Sequence, residues 1–193
     1  RAEVLARLAG KIESKVLIGV GGGSIIDSTK FLAKLSGASW ISVPTALSHD
    51  GIASERCSLP HQNIKSSIRT KPPEAVYGVK DVLEGNEMNK LGLGDILAKY
   101  SSLADWRLAF KRKKERWDNE VESLILKALK IAEKGDRELF DALCLSGLAM
   151  NKFGSSRPAS GYEHAISHAL GSKNHGFEVA LAALFTIKLF EIS

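Results

Sequence analysis

The sequence predicts an α/β N-terminal domain, Rossmann-like and incomplete, followed by an all-α domain. Residues 15–43 have the order strand, glycine turn, helix and strand, which is a βαβ unit with a parallel sheet. From about residue 90 onwards, apolar residues recur at helical spacing and strand patterns stop. We therefore expect a Rossmann-like domain over residues 1–91 and a helical domain over residues 92–193.

The first half of the chain alternates short apolar runs with turn residues. Buried strands are predicted where β-branched residues are bounded by Gly or Pro. A helix is predicted where apolar residues recur every three or four positions, and Gly37 ends it. In chain order, the predicted elements are an amphipathic helix from Arg1 to Ala9, a strand at Lys15–Val20, a helix at Ser24–Ser36, and strands at Trp40–Val43, Ile64–Arg69 (half of a hairpin) and Ala75–Val79.

In the second half of the sequence, only helices are predicted. The first of them is expected to begin at Gly94 and to continue through Trp106 and Leu108. Gly92 and Gly94 predict a flexible entry that places Asp95 at the start of this helix. Further helices are predicted at Glu120–Lys134, Arg137–Met150, Ser160–Leu170 and Gly176–Glu191.

Composition narrows the class of protein. The chain has 193 residues, 44% hydrophobic and 25% charged, which is ordinary for a globular protein. It contains no apolar run long enough for a transmembrane segment. Two cysteines in no metal or redox pattern indicate a reducing, cytoplasmic compartment. The net charge of +5 suits an anionic small molecule, a dinucleotide or a nucleic acid. However, the basic run at Lys111–Arg116 resembles a solvated helix face, so we expect no nucleic-acid partner.

A glycine-rich turn joins the first predicted strand to its helix. It reads Gly19-Val-Gly-Gly-Gly-Ser-Ile-Ile-Asp27. Glycines at such a junction let the backbone approach a phosphate and expose helix N-terminal amides to it. Ser24 stands where the usual dinucleotide fingerprint has glycine, so a purely structural turn remains an alternative. Asp27 is expected to cap or orient the loop.

A polar loop follows the second strand, from Pro44 to Ser54. Ligand contacts in α/β folds lie beyond the carboxyl ends of strands, so this loop is a candidate binding segment. His49 and Asp50 are its titratable members. A polar loop with no ligand would be about as rich in such residue types, and that alternative stays open.

Three histidines and one aspartate form a candidate metal site. His164 and His168 are four residues apart on one helical face, and His175 follows in a His-Gly turn. Imidazole nitrogens suit zinc, and a catalytic zinc has three protein ligands and one open position. Asp95 is a candidate fourth member, although an Asp near a helix start is more often a cap. A dinucleotide cradle and a metal in one chain suggest a hydride-transfer enzyme.

Four motifs carry a resemblance to a known family. They are the glycine turn Gly-Gly-Gly-Ser-Ile-Ile-Asp, the segment Pro-Thr-Ala-Leu-Ser-His-Asp-Gly-Ile-Ala-Ser, the segment Gly-Asp-Ile-Leu-Ala-Lys-Tyr and the segment Ser-Gly-Tyr-Glu-His-Ala-Ile-Ser-His-Ala-Leu. In this order they resemble archaeal sn-glycerol-1-phosphate dehydrogenase. That family belongs to the superfamily of glycerol dehydrogenase, iron-dependent alcohol dehydrogenases and dehydroquinate synthase.

The resemblance implies a role for individual residues. Zn²⁺, one per subunit, would be bound by Asp95, His164 and His175. Asp50, Asp95 and His168 would be the catalytic and substrate-contacting residues. The cofactor, NAD or NADP, would be bound by Gly21, Gly22, Gly23, Ser24, Ile25, Ile26, Asp27, Thr45, Ala46, Leu47, Ser48 and Ser54.

The chain also departs from the family pattern. The family begins with a strand upstream of Arg1, has a longer stretch than Gly171–Asn174, and has Glu at the position of Phe177. We therefore expect this sequence to consist of joined segments of a longer protein. The absent N-terminal part would carry the residues that choose between NAD and NADP.

The resemblance implies reduction of dihydroxyacetone phosphate to sn-glycerol 1-phosphate, which supplies archaeal ether lipids. We expect a cytoplasmic homo-oligomer that acts on a phosphorylated small molecule. A glycerol dehydrogenase acting on unphosphorylated polyols is the first alternative. A dehydroquinate-synthase-like lyase and a non-catalytic metal- or nucleotide-binding protein are the others. Proton delivery through His168, His49 or water is left open.

Overall fold

A parallel sheet organises the first part of the protein. The computed structural model describes residues 2–61, 64–170 and 175–189. Strands β1 (Val16–Gly21), β2 (Ser39–Pro44) and β5 (Ala75–Val76) form a three-stranded sheet in the order β1-β2-β5, with both pairs parallel. Helix α2 (Gly23–Ser36) connects β1 to β2, and α1 (Ala2–Ala9) packs on α2. The predicted βαβ unit is confirmed.

Helix α2 forms and ends as its sequence dictates. Its apolar face buries Ile26 and Ala33 against Trp40 of β2. The helix ends at Gly37, whose φ of 77° is left-handed and strained for any residue with a Cβ. The predicted helix at Ser24–Ser36 therefore starts one residue early, at Gly23. This start aims the N-terminal amides of α2 at the loop that follows β2.

A separate antiparallel hairpin lies beside α2. It consists of β3 (Arg56–His61) and β4 (Ile64–Arg69), so the predicted strand at Ile64–Arg69 is indeed half of a hairpin. Strand β5 is shorter than predicted, because it pairs with β2 only at Ala75 and Val76. Beyond it, Gly78 packs against a phenyl ring rather than continuing the ladder.

A buried ion pair fixes the hairpin to α2. Lys30 is fully buried, and its Nζ donates to Asp27 Oδ1 at 3.2 Å and to the Arg56 carbonyl at 2.6 Å. The other Asp27 oxygen accepts from the Ser58 amide at 3.1 Å. The Asp27 carboxylate therefore orients the hairpin against the glycine turn.

The described residues beyond Tyr77 are helical or irregular. The helices are α3 (Lys80–Leu83), α4 (Asn89–Leu97), α5 (Lys99–Lys111), α6 (Asn119–Ile131, followed by a 3-10 turn at Ala132–Lys134), α7 (Asp136–Phe153), α8 (Tyr162–Ala169) and α9 (His175–Leu189). The predicted succession of helices is confirmed. The expected end of the last helix at Glu191, the residue Arg1 and the stretch Gly171–Asn174 lie outside the described residues.

The position of Asp95 corrects one sequence prediction. Instead of one helix starting at Gly94, there are two helices that meet at Ala98. Asp95 lies in the last turn of α4, so its expected place at a helix start is wrong. The preceding glycines serve close packing instead of a flexible entry. A Cβ on Gly92 would come within 2.0 Å of the Leu47 carbonyl oxygen, and one on Gly94 within 2.6 Å of that of Gly176.

One large apolar core holds the helices together and anchors the loop after β2. Trp106 is fully buried, with its ring centroid 4.0 Å from that of Trp117 and 4.9 Å from that of Phe153. Leu47 and Ile52 of the Pro44–Ser54 loop belong to the same core. Burying a side chain of this size contributes about 1.5–3 kcal/mol, so the helical core fixes this loop. No described helix is both long and apolar enough to cross a bilayer.

The two cysteines are expected to react slowly in the folded protein. Both are free thiols. Burial, then the Asp27 carboxylate, raises the pKa of Cys57 from 9.0 to about 11, and burial raises that of Cys144 to about 12. At pH 8 the thiolate fraction should therefore fall roughly 100-fold or more, because each pKa unit is a factor of ten. Ellman's reagent measures this against the protein unfolded in guanidinium. Equal rates in both states would contradict the prediction.

Candidate active site

Three side chains from three helices converge on one point. Asp95 of α4, His164 of α8 and His175 at the start of α9 each offer a ligand atom, and these atoms all lie within 4.8 Å of one another. Asp95 Oδ1 is 3.5 Å from His164 Nε2, and the two imidazole centroids are 5.1 Å apart. Tetrahedral zinc bonded at about 2.0–2.1 Å needs ligand atoms roughly 3.3 Å apart. The three side chains are of a type that binds a divalent metal, and the separation between Asp95 and His164 is close to the one required.

The pKa values of the two imidazoles are shifted in opposite directions. Burial lowers the pKa of His164, but hydrogen bonds with Asp95 and Glu163 outweigh it and raise the pKa to about 9. Burial, reinforced by the His164 charge, lowers the pKa of His175 to about 4. Burial would raise the pKa of Asp95, yet Lys99 and His164 hold it well below its usual value. In the metal-free protein the proton on His164 thus partly neutralises the carboxylates.

Lys99 is a site residue that the sequence analysis missed. It is fully buried, and its Nζ lies 3.0 Å from Asp50 Oδ2 and 3.3 Å from Asp95 Oδ1. It also donates to the backbone carbonyls of Asp95 and Ala159. Burial alone would lower its pKa, but the two carboxylates raise it above the ordinary value. Its i,i+4 spacing from Asp95 was the available signal.

Asp50 is held from three sides. Its Oδ2 accepts from Lys99 and, at 2.7 Å, from Ser146 Oγ of α7, while its backbone amide donates to Asp95 Oδ2 at 3.0 Å. His49 precedes it and accepts from the Gly51 amide through Nδ1 at 2.9 Å. When neutral, His49 therefore carries its proton on Nε2.

Close approach to the glycine turn requires glycine at position 23. A Cβ placed on Gly23 would lie 2.3 Å from His49 Nε2. The imidazole of His49 therefore packs directly against the N-terminal turn of α2. The loop after β2 and the glycine turn form one wall.

The buried charges of the cluster are unbalanced. Asp50, Asp95 and Glu163 are carboxylates, whereas Lys99 contributes one positive charge. The pKa of Glu163 is lowered to about 2, because hydrogen bonds to His164, Ser102 and the Gly161 amide outweigh burial. With both imidazoles neutral, a divalent cation would offset the remaining two negative charges. Uncompensated buried charge is costly, so the cluster favours a bound metal.

One cavity of about 520 Å³ joins the metal cluster to the glycine turn. It is large enough for a small substrate with part of a dinucleotide. Of the described residues that line it, only Arg56 carries a permanent positive charge. The lining comes from the start of α2, the loop after β2, strand β3, the segment before α8, and helices α8 and α9. It includes Gly23, Ser24, Asp27, Ser48, His49, Asp50, Ser54, Arg56, Ser58, Ser156, Ser160, His164, His168 and His175.

The predicted substrate-contacting residues lie in or beside this cavity. Asp50 and His168 line it, and the His168 ring stacks on that of His175 with centroids 6.1 Å apart. Asp95 is not among the lining residues, and it is only 1% exposed.

The predicted cofactor-binding residues divide into two groups. Five line the cavity: Gly23, Ser24, Asp27, Ser48 and Ser54. The others lie behind its surface or beside it: Gly21, Gly22, Ile25, Ile26, Thr45, Ala46 and Leu47. The side chains of Ile26 and Leu47 are fully buried in apolar clusters. Any ligand contact of these two residues is therefore limited to backbone atoms.

The fold resembles that of the iron-containing alcohol dehydrogenases. The family described as iron-containing alcohol dehydrogenase matches residues 1–83. A probable glycerol dehydrogenase from Sinorhizobium meliloti superimposes with a TM-score of 0.79 at 21% identity, over 100% of this chain and 61% of that one. Glycerol dehydrogenase from Schizosaccharomyces pombe gives 0.77 at 18%, over 99% and 56%. At these identities the similarity establishes the fold.

Comparison with relatives of similar sequence narrows the class of protein. A glycerol-1-phosphate dehydrogenase [NAD(P)+] of Pyrococcus horikoshii is 43% identical over 180 residues, covering 85% of this chain and 52% of the relative. That of Korarchaeum cryptofilum is 38% identical over 205 residues, covering 92% and 65%. The chain is a homologue of the glycerol-1-phosphate dehydrogenases, within the iron-containing alcohol dehydrogenase superfamily. It spans about half the length of the first of these relatives.

Proposed function

We propose that the intact protein reduces dihydroxyacetone phosphate to sn-glycerol 1-phosphate with NADH or NADPH and one zinc ion per subunit. The proposal rests on one observation: the Asp95–His164–His175 cluster and the glycine turn lie at the same cavity. Relatives that are 43% and 40% identical to this chain are named glycerol-1-phosphate dehydrogenase [NAD(P)+], which supports the proposal. The product would supply the glycerol backbone of archaeal ether lipids.

The residues of the site have separate tasks in this proposal. Asp95, His164 and His175 would hold the metal, which when bound supplies Lewis acidity toward a carbonyl oxygen. Asp50 would orient the substrate, since within the described part of the chain its Oδ1 has no protein hydrogen bond while Oδ2 is held by Lys99 and Ser146.

Proton delivery involves the cavity wall. A proton must reach the oxygen of the new hydroxyl, and His168 and His49 both line the cavity within which it moves. His168 stacks on His175 at the metal end, whereas His49 packs against Gly23 at the glycine turn. A wall that held the cofactor and the substrate in a fixed orientation would favour hydride transfer.

Arg56 favours a phosphorylated substrate over free dihydroxyacetone. Its buried Nε has no hydrogen-bond partner, and Nη2 donates only to the Gly154 carbonyl at 3.3 Å. Within the described part of the chain, no carboxylate lies within ion-pair distance of it. A phosphoryl group would satisfy both the charge and the free donor of this guanidinium.

Replacing Arg56 with Met should therefore impair use of the phosphorylated substrate. Loss of a charged hydrogen bond of about 1.5–3 kcal/mol corresponds to a roughly 10- to 150-fold lower kcat/KM for dihydroxyacetone phosphate. KM for NADH or NADPH should change little. Steady-state kinetics measure both, with the exposed Arg112→Met as the matched control. An equal loss in cofactor affinity would instead assign Arg56 to the dinucleotide.

The function itself is tested by oxidation of NADH and NADPH. The intact protein is assayed with dihydroxyacetone phosphate and with dihydroxyacetone, before and after chelation, and after zinc is restored. Chelator-sensitive turnover of the phosphate alone supports the proposal. Turnover of dihydroxyacetone would indicate a glycerol dehydrogenase. Bound zinc without net cofactor oxidation would indicate a lyase or a binding protein.

A further inference from the structure

We propose that Glu163 is a positioning residue, held by two serines of α5, that presents His164 to the metal through Nε2. The inference rests on the metal site of the proposed function and on no particular substrate. Glu163 has no role in the sequence analysis, where it stands only as the neighbour of a predicted ligand.

Glu163 lies in a complete hydrogen-bond cradle. Its carboxylate is fully buried. Oε1 contacts His164 Nδ1 at 2.8 Å and accepts from Ser102 Oγ at 2.6 Å and the Gly161 amide at 2.6 Å. Oε2 accepts from Ser101 Oγ at 2.9 Å. The two hydroxyls and the amide all donate to it, so these three contacts are built for a carboxylate that stays ionised.

The backbone packs closely around the carboxylate at Gly161. A Cβ on Gly161 would lie 2.9 Å from Glu163 Oε2 and 3.1 Å from the Cα of Ser102. Glycine at this position thus lets α5 and the start of α8 close around the carboxylate. A group this confined can dictate the orientation of the imidazole that it contacts.

An ionised carboxylate only accepts hydrogen bonds, so Nδ1 of His164 must carry the proton that it shares with Glu163. In the neutral imidazole Nε2 then has the free lone pair. Nε2 lies 3.5 Å from Asp95 Oδ1, so its lone pair is available to a metal bound by Asp95, His164 and His175. Such carboxylate partners fix the tautomer of a metal-binding histidine and increase its basicity.

The second imidazole is held by a weaker partner. His175 Nδ1 lies 3.5 Å from Ser167 Oγ, which also donates to Glu178 Oε2 at 3.4 Å. A neutral hydroxyl at this distance orients a ring less firmly than a carboxylate at 2.8 Å. The cluster therefore has one firmly oriented imidazole, and α5 controls it.

Helix α5 serves the carboxylate ligand as well. Its first residue, Lys99, contacts Asp95 and Asp50, while Ser101 and Ser102 hold Glu163. One helical turn thus orients two of the three proposed metal ligands.

The test compares zinc affinity in Glu163→Gln and in wild type, measured by chelator competition on the intact protein. We expect a roughly 10- to 100-fold loss of affinity in the variant. The exposed Glu133→Gln is the matched control and should bind zinc as wild type does. Ser102→Ala keeps the carboxylate and should cause a smaller loss in the same direction, which covers the case in which Glu163→Gln does not fold.

Nitrogen-15 NMR of the zinc-loaded wild type gives a readout that a merely structural role would not produce. His164 should show a proton on Nδ1 and metal on Nε2, and the Nδ1 proton should move upfield in Glu163→Gln. Wild-type zinc affinity in both variants would overturn the inference, as would zinc on Nδ1. Absence of zinc binding by wild type would overturn the metal site itself, whereas zinc binding without turnover would overturn only the proposed reaction.

Discussion

Replacing His164 or His175 with alanine should remove zinc and turnover together. Each imidazole supplies one of three donor groups within 4.8 Å of one another, and a single carboxylate with one imidazole binds zinc weakly. Metal Lewis acidity contributes several kcal/mol to such a reaction, so the rate should fall by about a factor of 10³ or more. Metal analysis of the purified variant and kcat/KM measured in parallel test this prediction.

His168→Ala is the matched control for this experiment. His168 lies on the same helix and lines the same cavity, yet it is not part of the donor set. This variant should keep its zinc and show a raised KM for the substrate. Full activity in either ligand variant, or loss of zinc in the control, would contradict the assignment.

Asp50→Asn should keep zinc and cofactor binding but lower kcat by about 100-fold. Asn has nearly the same shape and can still accept from Ser146, but it removes the charge that pairs with Lys99 and the acceptor that would orient the substrate. Removing one positioned group from an active site costs about 10²–10³ in rate. The expected pattern is a kcat about 100-fold lower, with unchanged zinc content and unchanged NADH affinity.

The exposed Asp81→Asn serves as the control for Asp50→Asn, because it makes the same chemical change at a residue that does not line the cavity. If Asp50→Asn lost zinc instead, the carboxylate would be structural to the metal cluster. Its contact with Lys99, which also holds Asp95, provides the physical route for that outcome.

The helices and strands could be predicted from the sequence because the patterns that predict them lie in neighbouring residues. The strand, glycine turn and helix of β1 and α2 follow from an apolar run, a glycine cluster and a regular 3.6-residue spacing. The helices of the second half follow from the same spacing. The prediction for Asp95 was wrong because Gly92 and Gly94 were interpreted as flexible, whereas they are needed for contacts with Leu47 and Gly176 that are distant in sequence.

Residue types alone indicated four candidate metal-binding residues, and the family resemblance implied the set Asp95, His164 and His175. That Asp95, His164 and His175 meet was not implied by spacing, since Asp95 lies 69 and 80 positions before the two histidines. Their convergence depends on how α4, α8 and α9 pack.

The sequence by itself determined the order of helices and strands, the residue types that can bind a metal, and the glycine turn. Each of these depends on single residues or on short runs of neighbouring residues. Only the tertiary structure decided which charges pair. Lys99 bridges two carboxylates from different elements, and Glu163 is held by serines 61 and 62 positions away. The physical reason is that the free energy of a buried charge depends on the partners that folding places within a few ångströms, and these partners come from distant parts of the chain.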